Sequence, residues 1–416
     1  MLDQLYLDPS RGLEIPDELK KTLSEQAIDE DRPGTILRDF DALLEFIGDE
    51  GMATTSKYFF LPQSKLDSLN AAMSHPVSHR LKRPQQKSFP HLNGLFLLLR
   101  ASGMGTGMGS PPGGRLMLER ETVETWRELN PTERYFALLE SWLVQGSPEI
   151  IGERSGMRSG CFFSLIDLAQ RLLEPRTRGS EYHRGGVLYG TSEHTNAALM
   201  EMFGWLKIEY GEPADGGSVN FAVLERVPFG DAMVAALYAH FFTKGWPAHD
   251  DDRPAEPGVL RPLLETYFPE YRRVLAPRET PYRKGVFTWR VSLPRAWRRI
   301  DAPDDATLDD LARAILDAFD FDDDHLYCFE LQQNNGRRLR VACPYEEDAA
   351  VFTDETALGE LQIAEGAEMI MIFDYGDNWQ FRVKLEKVDP QRKQLRKLRV
   401  VKKSGQAPAQ YEWADD

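Results

Sequence analysis

Two periodicities divide this chain. After Thr35, the apolar residues Leu37, Phe40, Leu43, Leu44 and Ile47 stand at i, i+3, i+6, i+7 and i+10. That spacing lays them on one face of a helix, which Gly48 and Gly51 stop. Pro16 opens a looser helical pattern carried by Leu19, Leu23 and Ile28. Tyr135, Leu138, Leu139 and Trp142 share a face of a helix predicted over residues 131–144, and another is predicted over 162–173. From residue 286 onward the period falls to two. Phe287, Trp289, Val291 and Leu293 occupy one strand face, with Thr288, Arg290 and Ser292 opposite. Met369, Met371 and Phe373 alternate with Ile370, Ile372 and Asp374, then Phe381, Val383 and Leu385 alternate with Gln380, Arg382 and Lys384. These are paired strands. Between them Gly376, Asp377 and Asn378 supply residues that tolerate positive φ, as a tight hairpin loop requires. By alternation Trp379 shares the face of Phe381 and is expected in the core beside Trp289 or Trp297.

The N-terminal half contains a pattern that occurs twice, in residues 91–126 and 194–229. Each copy starts with His-x-Asn (His91 and Asn93; His194 and Asn196) and continues as an apolar helix. A Gly-Gly pair (Gly113 and Gly114; Gly216 and Gly217) follows at the same offset from the histidine. Alternating residues come next: Leu116 and Leu118 in the first copy, and Val219, Phe221 and Val223 in the second. Helical residues then follow in both. A helix, a Gly-rich hairpin and a helix outline a winged-helix-like segment.

The domain organisation follows from these patterns. Residues 1–88 read as a helical N-terminal region whose stretch 75–87 is a basic loop. Residues 89–275 form a helical region with the two winged-helix-like segments, and the proline- and acid-rich 247–262 is an exposed loop. Residues 276–285 form a linker. In the C-terminal domain, 286–388, the stretch 297–300 is a second strand and 327–331 a third, and 358–361 is a short turn. Leu308, Leu311, Ala312, Ile315 and Phe319 form the stripe of a helix capped by Thr307 with Asp310 three residues on. The fold class is therefore α+β: a mainly helical N-terminal region joined to a β-grasp-like α+β domain. Residues 389–416 are a basic tail, with seven cations and no acid over 391–403.

Composition narrows the function classes. The 416 residues are 42% hydrophobic, ample for ordinary cores, and the net charge of −16 argues against indiscriminate nucleic-acid binding. It leaves room for a local basic face, for which 79–87, 171–184 and 391–403 are candidates. Cys161, Cys328 and Cys343 form no CxxC pair, so neither a zinc knuckle nor a disulfide framework is readable, and buried thiols are the expectation. The N-terminus lacks the basic-then-apolar order of a secretory signal, and the longest strongly apolar run, 95–99, is too short to span a bilayer. The expected location is cytoplasmic. The glycine run over 103–114 lacks the Gly-Lys-Ser/Thr ending of a phosphate loop. No G-x-S-x-G elbow and no H-E-x-x-H helix occurs.

Three pieces of the C-terminal domain combine rare residues: Trp297-Arg298-Arg299, then Asp322-x-x-His325-Leu326, then Asp374-Tyr375-Gly376-Asp377-x-Trp379. In this order and spacing they resemble the plasmid pRiA4b ORF-3-like family, also described as passenger proteins of insertion elements. The resemblance covers about 285–388 and implies a plasmid or mobile-genetic-element association. It implies no biochemical activity. The family usually has Phe in place of Tyr375. Its cysteine-containing segment and Pro-Pro-Glu-Asp run are replaced here by KSGQAPAQY, so a function tied to them is not carried over.

The candidate pocket or binding surface is Trp297, Arg298, Arg299, Asp324, His325, Asp374, Tyr375, Asp377 and Trp379. Trp297 and Trp379 can pack together, with Arg298 or Arg299 pairing Asp374 or Asp377. His325, Asp374 and Asp377 have the chemistry of metal ligands, yet turn formation explains the carboxylates equally well. No metal and no cofactor is expected. The leading functional expectation is a non-catalytic binding or adaptor protein whose partner is another protein. The alternatives are a DNA-binding accessory factor using the winged-helix-like segments, and a metal-dependent enzyme using the Asp/His constellation. No membrane partner is expected.

Overall fold

In a computed structural model, residues 15–109, 113–153, 191–244, 256–276, 281–347, 349–393 and 395–411 are described, with scattered positions between 161 and 178. Most of the predicted helix 162–173, of the basic stretch 171–184 and of the loop 247–262 lies outside the described residues. So does the N-terminus before residue 15. The chain divides into two compact units. One comprises Met1–Thr106, Arg115–Ala248 and Ala255–Arg278; the other comprises Glu279–Asp416 with Gly107–Gly114 and His249–Pro254.

The first unit begins with α1 (Asp17–Glu25), which buries Leu19 and Leu23, and α2 (Ile36–Ile47), which buries the predicted apolar face. Gly48 ends α2 at φ 63°, where a side chain would be strained. Strand β1 (Met52–Thr54) and α3 (Leu66–Ala72) follow. The first repeat copy then folds as α4 (Pro90–Ala101), β2 (Gly105–Met108), β3 (Gly114–Leu118) and α5 (Arg120–Arg127). Helix α6 (Pro131–Leu143) starts at a reciprocal capping box between Asn130 and Glu133. After β4 (Arg176–Arg178), the second copy folds as α7 (Thr191–Met202), β5 (Leu206–Gly211), β6 (Asn220–Arg226) and α8 (Pro228–Lys244). The short α9 (Arg261–Leu264) comes last.

Both copies are thus a helix, a two-stranded hairpin and a helix. In each, a three-residue upstream strand pairs with the second hairpin strand, giving the orders β1-β3-β2 and β4-β6-β5. The helices α4 and α7 lie against each other. A Cβ on Gly94 would stand 2.7 Å from Leu199 Cγ, and Asn93 Nδ2 donates to Thr195 Oγ1 at 3.0 Å. Trp142 Nε1 donates to Asn196 Oδ1 at 3.0 Å, and Tyr135 is bonded to both the Phe203 carbonyl and the Trp205 indole. The paired indoles and amides satisfy polar groups that burial would otherwise penalise.

Among the described residues the second unit is a seven-stranded sheet with one α-helix. Its elements are β7 (Val286–Leu293), β8 (Ala296–Pro303), α10 (Leu308–Phe319), β9 (Tyr327–Gln332), β10 (Arg338–Ala342), β11 (Glu368–Phe373), β12 (Trp379–Asp389) and β13 (Arg399–Ser404). The order is β10-β9-β11-β12-β7-β8-β13, and every pairing is antiparallel. The segment expected as a basic tail therefore supplies an edge strand. Strand β10 also escaped the sequence reading, because Arg338, Leu339, Arg340, Val341 and Ala342 show too few apolar alternations. The capping box at Thr307 and Asp310 starts α10, whose stripe packs on one sheet face with Trp289, Phe329, Met371 and Phe381. The opposite face of the sheet carries the polar positions. Alternation of this kind marks an antiparallel sheet covered on one side only.

The β11–β12 hairpin has the predicted register, Met369 opposite Val383 and Phe373 opposite Trp379. Its turn meets the expectation at Asn378 and departs from it at the other positive-φ position. Positive φ falls on Asp374 (53°) and Asn378 (54°), not on Gly376. Asp374 Oδ1 accepts from the Gly376 backbone at 2.9 Å, which is how an aspartate side chain folds a turn. Trp379 is half-buried and meets Phe321 edge-on at 5.0 Å. Trp297 lies on the other sheet face, so the two tryptophans do not pack together.

Candidate functional site

Strand alternation separates the Trp297-Arg298-Arg299 triplet. Arg298 points inward and is 5% exposed. Its Nε donates to the Ala318 carbonyl at 2.7 Å, and its Nη1 donates to the carbonyls of Trp297, Ser404 and Gly405. The guanidinium sits 4.6 Å from the Phe319 ring centroid. Arg298 is therefore spent on closing the end of α10 and holding the chain after β13. Arg299 points outward and forms a bidentate pair with Glu386, at 2.6 and 3.0 Å. Neither arginine pairs with Asp374 or Asp377. The hydrogen bond to Glu386 raises the Arg299 pKa further.

Asp324, His325 and Asp374 do converge. His325 Nε2 is 3.4 Å from Asp374 Oδ2 and 3.8 Å from Asp324 Oδ1. Tyr411, after β13, closes the group by donating to Asp324 Oδ2 at 2.5 Å, with His325 Nε2 at 3.3 Å from the same hydroxyl. Gln410 donates to Asp324 Oδ1 at 3.0 Å. The Tyr411 bond holds the Asp324 carboxyl below its ordinary range, while the phenol is pushed up to about 12. Asp377 is exposed and its carboxylate takes no part. Among the described residues no group of three or more His, Cys, Asp or Glu is arranged to hold a metal ion. The candidate metal set of His325, Asp374 and Asp377 is therefore divided, with two in the cluster and one outside it.

Tyr375 belongs to a third arrangement. Its hydroxyl donates to Glu346 Oε2 at 2.8 Å and accepts from Arg340 Nη2 at 2.9 Å. Burial pushes the Tyr375 phenol up, as it does the neighbouring Cys328 thiol. All three cysteines are buried and free.

The outer sheet face holds residues that motif reading passed over. Lys384 on β12 stands directly opposite Arg290 on β7, Arg290 opposite Arg299 on β8, and Arg299 opposite Lys402 on β13. Four adjacent strands thus carry one row of four cations, spanning about 15 Å at the usual strand spacing. Trp297 lies beside the row. Its ring centroid is 4.7 Å from the Arg290 guanidinium, 5.7 Å from Lys402 Nζ and 5.9 Å from Arg299. Arg382 opposes Ser292, which in turn opposes Trp297, and so extends the basic area. Among the described residues, Arg290, Arg382, Lys384 and Lys402 have no carboxylate within ion-pair distance; Glu386 neutralises Arg299 alone. The signal was present in the sequence as Arg290, Arg382 and Lys384 at polar strand positions. Which cations adjoin became legible only with the sheet order.

This sheet and the returning segment to Gln410 are the part of the chain that a known family shares. Residues 288–410 match the family model described as Plasmid pRiA4b ORF-3-like protein. The matched region begins within β7 and runs past β13, further than the motif resemblance. It includes the Gln410 contact on Asp324. A crystal structure of a protein of unknown function from Methanosarcina mazei Go1 is similar at 27% identity, over 30% of this chain and 72% of that one, with a TM-score of 0.27. No curated protein matches the chain. Among the described residues no helix is long and apolar enough to cross a membrane.

Proposed function

We propose that this protein is a plasmid- or mobile-element-associated binding protein, and that its binding surface is the outer face of the C-terminal sheet. The supporting observation is the row Lys384, Arg290, Arg299 and Lys402. Like charges directly opposite one another destabilise a sheet, and among the described residues Arg290, Lys384 and Lys402 form no ion pair, although Glu368 stands across from Lys384. Such a row is stabilised when an anionic partner covers it. The charged residues of the family-like motifs support the same reading from the other side. Arg298 and Asp374 are spent on folding, and His325 is tied to Asp374, which leaves the constellation little free chemistry for an enzyme.

The DNA-binding reading that uses winged-helix-like segments is less well supported. The helix preceding each hairpin is the element that would enter a groove. Here residues Pro90 to Arg100 of α4 are all buried and α4 packs on α7. The basic loop residue Arg80 is paired with Asp215 and Glu212. The test is retention of the full chain on a polyanion such as heparin at low salt. Lys384→Glu with Lys402→Glu, both at exposed positions, is expected to abolish retention while leaving the melting temperature near that of the parent. Equal retention of parent and double variant refutes the assignment of this face.

A further inference from the structure

Resting on that reading, we infer that the outer face of the C-terminal sheet binds single-stranded nucleic acid, with phosphates along the cation row and a base stacked on Trp297. Three features of the face suit such a ligand. The first is charge complementarity. A chain whose net charge is −16 sets Arg290, Arg382, Lys384 and Lys402, none in an ion pair among the described residues, on one side of one sheet, with Glu368 across from Lys384 at the end of the row. A phosphodiester backbone supplies regularly spaced negative charge to such a row, and its counterions are released on binding.

The second feature is the aromatic. Trp297 is half-buried on this open face, among cations. An aromatic platform beside a basic track is how proteins hold unpaired bases, since every base offers a π-face whatever its sequence. Arg290 already lies over the ring, so a base can stack on the indole or on the guanidinium plane above it. A duplex keeps its bases stacked inward and would engage the cations but not the tryptophan. A poly-glutamate chain, with no aromatic or apolar side chain to stack, would likewise leave the indole unused.

The third feature is graded charge. Glu386 holds Arg299 in a bidentate pair, so the row carries one masked cation in its middle. Removing that carboxylate should free Arg299 for phosphate. The prediction is a gain of affinity, an effect that loss of structure cannot produce.

The test is fluorescence anisotropy of the full chain with labelled oligo(dT) and oligo(U), a duplex of equal length, and poly-glutamate as competitor, each over a salt series. The single strands are expected to bind more tightly than the duplex, with affinity falling as salt rises. Trp297→Ala should weaken single-strand binding roughly tenfold to a hundredfold, leave the duplex unchanged, and be largely rescued in Trp297→Phe. Glu386→Gln should strengthen binding and steepen the salt slope by about one phosphate contact. Should Trp297→Ala leave oligo(dT) binding unchanged, or should duplex or poly-glutamate compete as well as the single strand, the inference falls while anion binding by this face stands. Should no polyanion bind at low salt, the broader reading falls with it.

Discussion

Single residues in this protein owe their roles to which side of a strand they occupy. Trp297, Arg298 and Arg299 are consecutive, yet Arg298 closes the end of α10 on the inner side while its neighbours face outward. The same rule places Trp379 on the inner face with Phe381, although only half-buried because it stands at the strand end against Phe321. Truncating a fully buried aromatic costs about 3–5 kcal/mol. Trp379→Ala is therefore expected to cost less, about 2–3 kcal/mol on the same scale. Denaturant unfolding of the C-terminal unit measures it. A change under about 0.5 kcal/mol, the usual range for surface substitutions, would show that the residue contributes no core packing.

At the scale of elements, close backbone approach fixes where α8 of the N-terminal unit can sit. Gly230 lies in the first turn of α8, and a Cβ there would stand 2.1 Å from the Trp205 carbonyl oxygen. That oxygen belongs to the chain entering β5, so α8 cannot keep its position with any larger residue. Gly230→Ala, which would be nearly neutral or stabilising at an exposed helical position, is expected to destabilise by more than about 1 kcal/mol and to lower the melting temperature. An unchanged melting temperature would mean that α8 shifts freely. The helix–hairpin–helix order of both copies was legible from the His-x-Asn starts and the Gly-Gly pairs. The third strands β1 and β4 were not, because three residues carry too little periodicity to register.

For the molecule as a whole, acid sensitivity is built into the α4 core. Both ring nitrogens of His91 are buried without a hydrogen-bond partner among the described residues, and burial, with the nearby His75, pushes its pKa down to about 3 from an ordinary 6.5. The folded state holds the ring neutral, so the unfolded state binds the extra proton. The stability this gives is complete above pH 6.5 and is lost as pH falls toward 3, about 2 kcal/mol of it by pH 5. In His91→Leu the drop in melting temperature between pH 7.5 and pH 5 should shrink; an identical drop would locate the acid sensitivity elsewhere. The amino-acid sequence by itself determined the two periodicities, hence the α+β class, the hairpin register of β11 and β12, the capped α10 and the family-like stretch. These depend on neighbours within a few residues, where steric and hydrogen-bonding rules act directly. The tertiary structure alone decided that α4 and α7 bury each other, that Tyr411 closes the Asp324–His325–Asp374 cluster, and that β13 completes the sheet. It also decided the cation row on the outer sheet face, because four cations scattered from Arg290 to Lys402 become one row only when four strands are set side by side. Cross-strand adjacency is a property of sheet order, and local sequence does not encode it.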